Sequence, residues 1–229
     1  QHPSIKDNAE LQKEISAFIG QEAMHTQEHE GFNASAQKYG HDVATLDRYT
    51  DRAIQTTRKV FAFLGKPVGI TQEMVDLTAT TALEHFTATI ASQLLVNNHI
   101  QELMSDETMK TMWLWHAIEE NEHKAVAYDV FEGVFGKGIK SYLLRTGSLV
   151  AAMSILFCVQ SYFVFRLLQQ DKQLNRAALK DIYTYAYSPS KGIITGMARE
   201  MIMYFKPDFH PNHHDTDALL EKWKLKLGF

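Results

Sequence analysis

The 229-residue chain has little of what builds disulfide-bonded, turn-rich or nucleic-acid-binding proteins. Its single cysteine, Cys158, excludes a disulfide within the chain and suits a reducing compartment. Twelve Gly and five Pro are too few for a fold made of many tight turns. The formal charge of −4 provides no net basic surface, so we expect no nucleic-acid partner. No signal peptide is visible, and we expect a cytoplasmic protein.

Helical periodicity runs through almost the whole chain, which predicts an all-α fold in a single domain over residues 1–229. The expected helices are 8–31, 43–64, 72–104, 106–135, 139–170, 174–186, 189–205 and 216–226, with an irregular segment at 33–42. Capping residues support the starts of several of these helices, because Ser, Thr, Asp and Asn side chains accept from free backbone N–H groups.

The expected helix at 139–170 has two interpretations. Twenty consecutive uncharged residues run from Thr146 to Phe165, between Arg145 and Arg166. That is the length of a membrane span. Ser and Gln residues inside the stretch favour a buried core helix, which we expect first. The alternative is membrane contact through 146–165, which would make the protein membrane-associated.

Two Glu-x-x-His segments are the strongest chemical signal: Glu22 with His25, and Glu120 with His123. Residues three apart on a helix share a face, so each Glu and His can reach one metal ion. Di-iron helical bundles carry one such motif on each of two helices and a single Glu on each of two others. A lone motif of this kind is usually a Glu–His pair on the protein surface. Whether it lies on the buried face of its helix therefore decides between a surface pair and a metal site.

Apolar residues lead into both motifs along one helix face, which an amphipathic helix buries. The two stripes are Leu11, Ile15, Phe18, Glu22, His25, His29 and Met109, Trp113, His116, Glu120, His123. Glu84 stands on a similar stripe of a third helix, among small residues. Burying unpaired carboxylates costs several kcal/mol. We therefore predict a metal centre between the three helices, with a buried polar network as the alternative.

The segments that carry these residues resemble a bacterial family of predicted metal-dependent hydrolases. They are Phe18-Ile19-Gly20-Gln21-Glu22, Leu83-Glu84-His85-Phe86, Trp115-His116-Ala117, Glu119-Glu120 and the tail Phe205-Lys206-Pro207. The pattern of His116, Glu120 and His123 is also similar to the last ligand helix of di-iron aminobenzoate N-oxygenases. The resemblance implies a ferritin-like helical bundle with extra C-terminal helices.

The resemblance also implies a set of metal ligands, all within residues 1–135: Glu22, His25, Glu84, His116, Glu120 and His123. His29 is expected to be a further ligand or a neighbour of the ligands. Gln21 and Glu119 are expected to hydrogen-bond the outer nitrogen of a ligand His. Residues 136–229 would contribute the long apolar helix and the C-terminal helices. The family's first bundle helix, with its own Glu, normally precedes the segment that begins at Gln1, and we expect that it was lost or left out.

These residues predict an enzyme with two metal ions, iron ahead of manganese or zinc, that activates dioxygen to oxidise a small hydrophobic substrate. Such an oxygenase would need dioxygen and an electron donor as partners. The first alternative is a two-metal hydrolase of an ester or amide, and the second is a non-catalytic iron-binding protein. A homodimer is left open.

The C-terminal residues His210, His213, His214 and Asp215 could be taken for a second metal site. Pro211 and Asn212 indicate a turn there instead, and Asp215 or Thr216 can cap the last helix. Phe209 is expected to anchor this tail to the body of the protein.

Overall fold

A computed structural model of the chain describes residues 2–228, and within that range it contains helices and no strand. The all-α prediction is therefore confirmed. The helices are α1 (Pro3–Lys6), α2 (Ala9–Lys38), α3 (Val43–Gly65), α4 (Gln72–Val96), α5 (Asn98–Leu103), α6 (Glu107–Glu122), α7 (Val126–Phe135), α8 (Ile139–Gln170), α9 (Arg176–Tyr187), α10 (Ile193–Met203) and α11 (Asp217–Leu227).

Side-chain caps fix where the long helices begin. The Asn8 side chain accepts a hydrogen bond from the Leu11 N–H, and Asp106 accepts from the Met109 N–H. Asp42 and Thr71 cap α3 and α4 in the same way. Each cap satisfies an N–H that has no partner inside the helix. These starts agree with the sequence prediction to within one or two residues.

Three predicted boundaries are wrong. The first long helix does not stop at Gly31 but continues to Lys38, because one Gly in a helix costs only about 1 kcal/mol. It ends before Gly40, whose φ of 96° turns the chain away. The predicted helix 72–104 breaks at Asn97, whose side chain caps the short helix α5. The predicted helix 106–135 is divided at 123–125 into α6 and α7.

Helix α4 lies at the centre of the bundle and packs against α3, α6, α7, α8 and α10. One core cluster joins it to α6 and α11, where the indole N–H of Trp223 donates to the Leu95 carbonyl at 2.9 Å. A second cluster joins Ala82 of α4 to α7, α8 and the tail. Phe209 lies buried in this second cluster, as expected of an anchor. The first cluster and the direct packing of α4 against α6 hold these two helices side by side, which keeps the segments that carry Glu84 and Glu120 on neighbouring helices.

Helix α8 is not the buried core helix that we expected first. It is the one helix of the described residues that is long and apolar enough to cross a membrane. Only 11% of its most apolar window is buried. Its first half contributes Leu149 to the core, whereas Val150, Phe157 and Phe165 are exposed. The core prediction failed because a continuous apolar sequence looks the same whether protein covers the helix or not.

Candidate metal centre

Three helices bring acidic and imidazole side chains together near the middle of α2. This helix is exposed along most of its length, and within it Leu11 and His25 are the buried residues. His25 is buried because α6 supplies Glu119, Glu120 and His116 around its ring. His25 is thus buried in the middle of α2, where an ordinary amphipathic helix would bury an apolar residue.

The centre of the group is formed by His25, His116 and Glu120. One ligand atom from each of the three lies within 4.8 Å of the other two. The His116 Nε2 atom is 3.2 Å from the Glu120 Oε1 atom, and the two imidazole rings have their centroids 4.1 Å apart. Two imidazoles and a carboxylate at this separation can share one cation. We therefore treat these three residues as the candidate metal ligands.

The two nitrogens of His25 have different surroundings. Its Nε2–H donates to the Glu119 carboxylate at 3.0 Å. Its Nδ1 is buried and has no hydrogen bond of good geometry, although oxygens of Glu22 and Glu120 lie 3.4 Å away. Metal-bound histidines commonly donate their outer N–H to a carboxylate in this way, which fixes the ring and the tautomer. The orphaned Nδ1 is therefore the nitrogen that faces the metal position.

The carboxylates around His25 favour the protonated, positively charged form of its ring. Burial lowers the pKa of His25, but the nearby carboxylate of Glu22, the hydrogen bond to Glu119 and the charge of Glu120 raise that pKa above its ordinary value. Burial also opposes ionisation of Glu120, yet bonds from His116 and Thr87 hold its pKa below the usual range. A proton on His25 beside ionised Glu120 is what a bound cation would displace.

Glu84 of α4 is a fourth carboxyl group near Glu22, Glu119 and Glu120. Burial and the neighbouring charges of Glu120 and Glu22 raise the pKa of Glu84 to about 8. Like charges in a dry site favour the protonated form, because two adjacent carboxylates cannot both stay ionised without a cation. A carboxyl group that keeps its proton at neutral pH until a cation arrives fits a second metal position or a proton carrier.

Aromatic rings close one side of the group. Trp113 packs against the rings of His116 and His29, at centroid distances of 5.6 and 5.7 Å, and Trp115 lies edge-on to His25. His29 is exposed at the rim, and burial together with the nearby charge of His116 lowers its pKa. Gln21 is half-buried, and its side chain makes no hydrogen bond to this group within the described residues.

His123 lies outside the group, although its motif predicts otherwise. Helix α6 ends at Glu122, and His123 follows as the residue after its last turn, with φ −110° and ψ 11°. Residues three apart share a face only while the helix continues. Its Nδ1 is buried and has no hydrogen-bond partner within the described residues, and His123 is not among the residues whose ligand atoms converge with those of Glu120.

The group is open to solvent on the side of Glu22. That side chain is 42% exposed, whereas the side chain of His25 is 4% exposed and that of Glu120 is 9% exposed. A cation could be held by buried donors and still be reached from outside. Catalytic metal sites keep such an open position, whereas structural sites are closed.

The donor set fits a resident metal. It combines imidazole nitrogen with carboxylate oxygen and includes no sulfur, which suits iron, manganese or a catalytic zinc. The orphaned Nδ1 of His25 lies 3.4 Å from oxygens of Glu22 and Glu120, so a buried nitrogen and two carboxylates face one position that a cation could occupy. Thr87 was missed by the sequence analysis, although it lies three residues after Glu84 on the same helix.

The C-terminal histidines have other contacts. The His210 Nε2–H donates to the Asp129 carboxylate at 2.9 Å. His210 and His213 line a cavity of about 450 Å³ together with Arg145. Asp215 accepts from the Asp217 N–H at the start of α11, as a capping residue does.

A comparison with protein families gives a match to residues 1–215 of the chain, and the description of the matched family is predicted metal-dependent hydrolase. No match was found among curated proteins or among solved structures. The family description supports the hydrolase alternative, and it gives no support to oxidation by dioxygen, which was the first expectation.

Proposed function

The chain belongs to the family of predicted metal-dependent hydrolases, and we propose that it hydrolyses an ester or amide bond in a small hydrophobic substrate with the help of a bound metal. The observation that carries this proposal is the convergence of His25, His116 and Glu120 within 4.8 Å beside an exposed Glu22. When bound, a divalent metal supplies Lewis acidity and lowers the pKa of water.

The residues of the chain have separate tasks in this proposal. His25 and His116 hold the metal from α2 and α6, with Glu120 as the shared carboxylate. Glu119 keeps the ring of His25 in the tautomer that leaves Nδ1 free. Glu22 and Glu84 line the position next to them, where a second metal would bind. Two metals were expected from the sequence, and their number and identity belong to this proposal.

Glu84 is the best candidate for moving a proton. Hydrolysis adds water across the bond, so one product receives a hydroxyl and the leaving alcohol or amine receives a proton. Burial and the charges of Glu120 and Glu22 raise the pKa of Glu84 to about 8. While no cation occupies the second position, its carboxyl would hold this proton at neutral pH and could pass it to the leaving group. The exposed Phe32, whose ring packs 6.2 Å from Trp113, extends the apolar rim for the hydrophobic part of the substrate.

Reconstitution with single metals tests the proposal. Protein stripped with a chelator and reloaded with zinc, manganese or iron is assayed on aryl esters and anilides of increasing acyl length. We expect metal-dependent release of the acid, faster for longer acyl chains. We expect the Glu120→Ala variant to lose this activity while its circular dichroism stays helical. The matched control is Glu102→Ala on α5, whose carboxylate is 74% exposed. Equal activity in the Glu120→Ala variant contradicts the proposal.

Oxidation by dioxygen is the second candidate, and one observation favours it. Glu22 and Glu120 both lie 3.4 Å from the Nδ1 atom of His25, and both act on the charge of Glu84. Oxygen-rich donor sets of this kind suit iron and manganese. An oxygenase needs dioxygen and an electron donor, and a hydrolase needs neither. Turnover that is unchanged under argon therefore supports hydrolysis, and turnover that stops under argon and resumes with air and a reductant supports oxidation.

A further inference from the structure

Helix α8 presents an apolar surface that nothing else in the described chain covers. Its most apolar window has a mean hydropathy of 1.9, and only 11% of that window is buried. A helix that is apolar on all sides belongs either inside a protein or in contact with lipid. No residue of 155–170 is buried, so the second half of α8 is not inside the core of this chain.

The exposed residues form one stripe along the helix. Leu143, Val150, Phe157 and Phe165 are 60%, 54%, 63% and 46% exposed. They recur every seven or eight residues, so they lie on the same side. The residues exposed between them are small or uncharged: Gly147, Ser154, Cys158, Gln160 and Ser161. A surface helix of a soluble protein normally places charges on that side.

The hydroxyl groups of this run are largely satisfied by the backbone. Thr146 donates to the Tyr142 carbonyl at 2.8 Å, and Ser154 donates to the Val150 carbonyl at 2.8 Å. Ser148 donates to the Thr78 carbonyl of α4 at 3.1 Å. A hydroxyl that is bonded within its own helix costs little when water leaves. The stripe can therefore lose its water at small cost.

Basic residues follow the apolar run. Residues 166–191 contain five Lys and Arg against two Asp, whereas the whole chain has a formal charge of −4. This segment includes α9, which has no buried residue. Leu179, Ile182 and Tyr183 of α9 are exposed. Apolar and aromatic side chains with neighbouring Lys and Arg are typical of helices that bind anionic membrane surfaces.

We propose that α8 and α9 dock the protein on the surface of a bilayer with anionic headgroups. The second half of α8 enters the boundary between headgroups and acyl chains, and the basic segment 166–191 contacts the headgroups. This arrangement is peripheral and does not span the membrane. Arg145 is buried and donates to the Tyr204 and Lys206 carbonyls, which holds the first turns of α8 in the protein core.

A second copy of the chain fits this surface less well than lipid. At the first end of α8, Lys137 pairs with Glu132 and Arg145 is buried, which leaves the exposed Lys140. The other end carries Arg166 and Lys172 against Asp171. Parallel or antiparallel pairing of two α8 helices would place net basic ends together. Anionic lipid headgroups instead attract these basic residues.

Sedimentation with vesicles tests this proposal on the full chain, with or without metal. One vesicle type is pure phosphatidylcholine, and the other is an equimolar mixture with phosphatidylglycerol. We expect binding to the mixed vesicles that weakens as salt rises. We expect the Phe157→Asp variant to bind about tenfold more weakly, because a charge then replaces an inserted aromatic ring. Replacing Lys172, Arg176 and Lys180 by Gln is expected to remove the preference for the anionic vesicles.

The matched control is Leu225→Asp on α11, which is also a large exposed apolar residue (77%) but lies on a helix packed against α6. Its binding should stay that of the wild type. Circular dichroism and sedimentation velocity accompany each variant. The proposal is overturned if the wild type binds neither vesicle type. It is also overturned if Phe157→Asp turns a dimer into a monomer and leaves vesicle binding unchanged.

Discussion

The two Glu-x-x-His segments have the same four-residue pattern and end in different geometries. In α2 the helix continues for 13 residues beyond His25, and Glu22 and His25 stay within 3.4 Å of each other. In α6 the helix ends at Glu122, and His123 is not among the residues whose ligand atoms converge with those of Glu120. His116, one turn before Glu120, contacts it instead at 3.2 Å. Equal spacing in sequence gives equal contacts only where the helix continues.

Substitutions in the Glu22–His25 motif of α2 should reduce metal affinity more than substitutions of Glu120's motif partner, His123. We expect His25→Ala to weaken metal binding by about a hundredfold or more, since it removes one ligand and the partner of Glu119. Competition with a coloured chelator measures this affinity. His99→Ala, an exposed histidine of α5, is the control and should bind like the wild type. Equal affinity in the His25→Ala variant would remove α2 from the metal centre.

A smaller effect is expected from the carboxylate that orients His25. Glu119→Gln keeps the size of the side chain but weakens its hold on the Nε2–H, and metal affinity should fall about tenfold. The comparison is Glu122→Gln, the last residue of α6, which pairs with Lys224 at 2.7 Å and should leave metal affinity unchanged. If both variants behave alike, Glu119 has no special role.

Glu84 makes metal binding depend on pH. Because the pKa of Glu84 is raised to about 8, the group binds a proton at neutral pH and must release it when a cation enters. Metal affinity should therefore rise with pH up to about 8 and flatten above it. Calorimetry in buffers of different ionisation heat counts the protons released at neutral pH. Glu84→Gln should release about one proton fewer, and an unchanged count contradicts this assignment.

His85 is a buried histidine that does not belong to either unit, and its expected effect is on stability. Burial lowers its pKa to about 4, from an ordinary value of 6.5. Between pH 6.5 and pH 4 the unfolded chain binds a proton on His85 and the folded chain does not. The free energy of unfolding is therefore highest above pH 6.5 and decreases as the pH falls toward 4. The loss is up to about 3 kcal/mol. Urea unfolding across this range should show less pH dependence in His85→Gln than in the wild type.

The sequence predicted the parts of the fold that depend on local chemistry. Asn8, Thr71 and Asp106 cap helices because their side chains accept from the backbone three residues on, which a sequence displays directly. The stripe through Leu11, Glu22 and His25 also follows from helical spacing alone. For the same reason, the approach of His116 to Glu120, four residues apart, could be read from the pattern.

The parts that depend on tertiary packing were not predictable. Nothing in residues 120–126 is a Gly or Pro, so the division between α6 and α7 has no local signal. The exposure of α8 depends on which other helices pack against it. Helix α3 covers only part of α8, where Tyr49 contacts Tyr162. The pKa of Glu84 likewise depends on carboxylates from two other helices.

Metal content of two histidine variants of α6 tests the central comparison most directly. His116→Ala and His123→Ala are purified in parallel with the wild type, without added metal, and analysed for bound metal per chain. The account predicts that the His116→Ala variant loses the metal, whereas His123→Ala retains it. Retention in His116→Ala together with loss in His123→Ala would contradict the metal centre described for this protein.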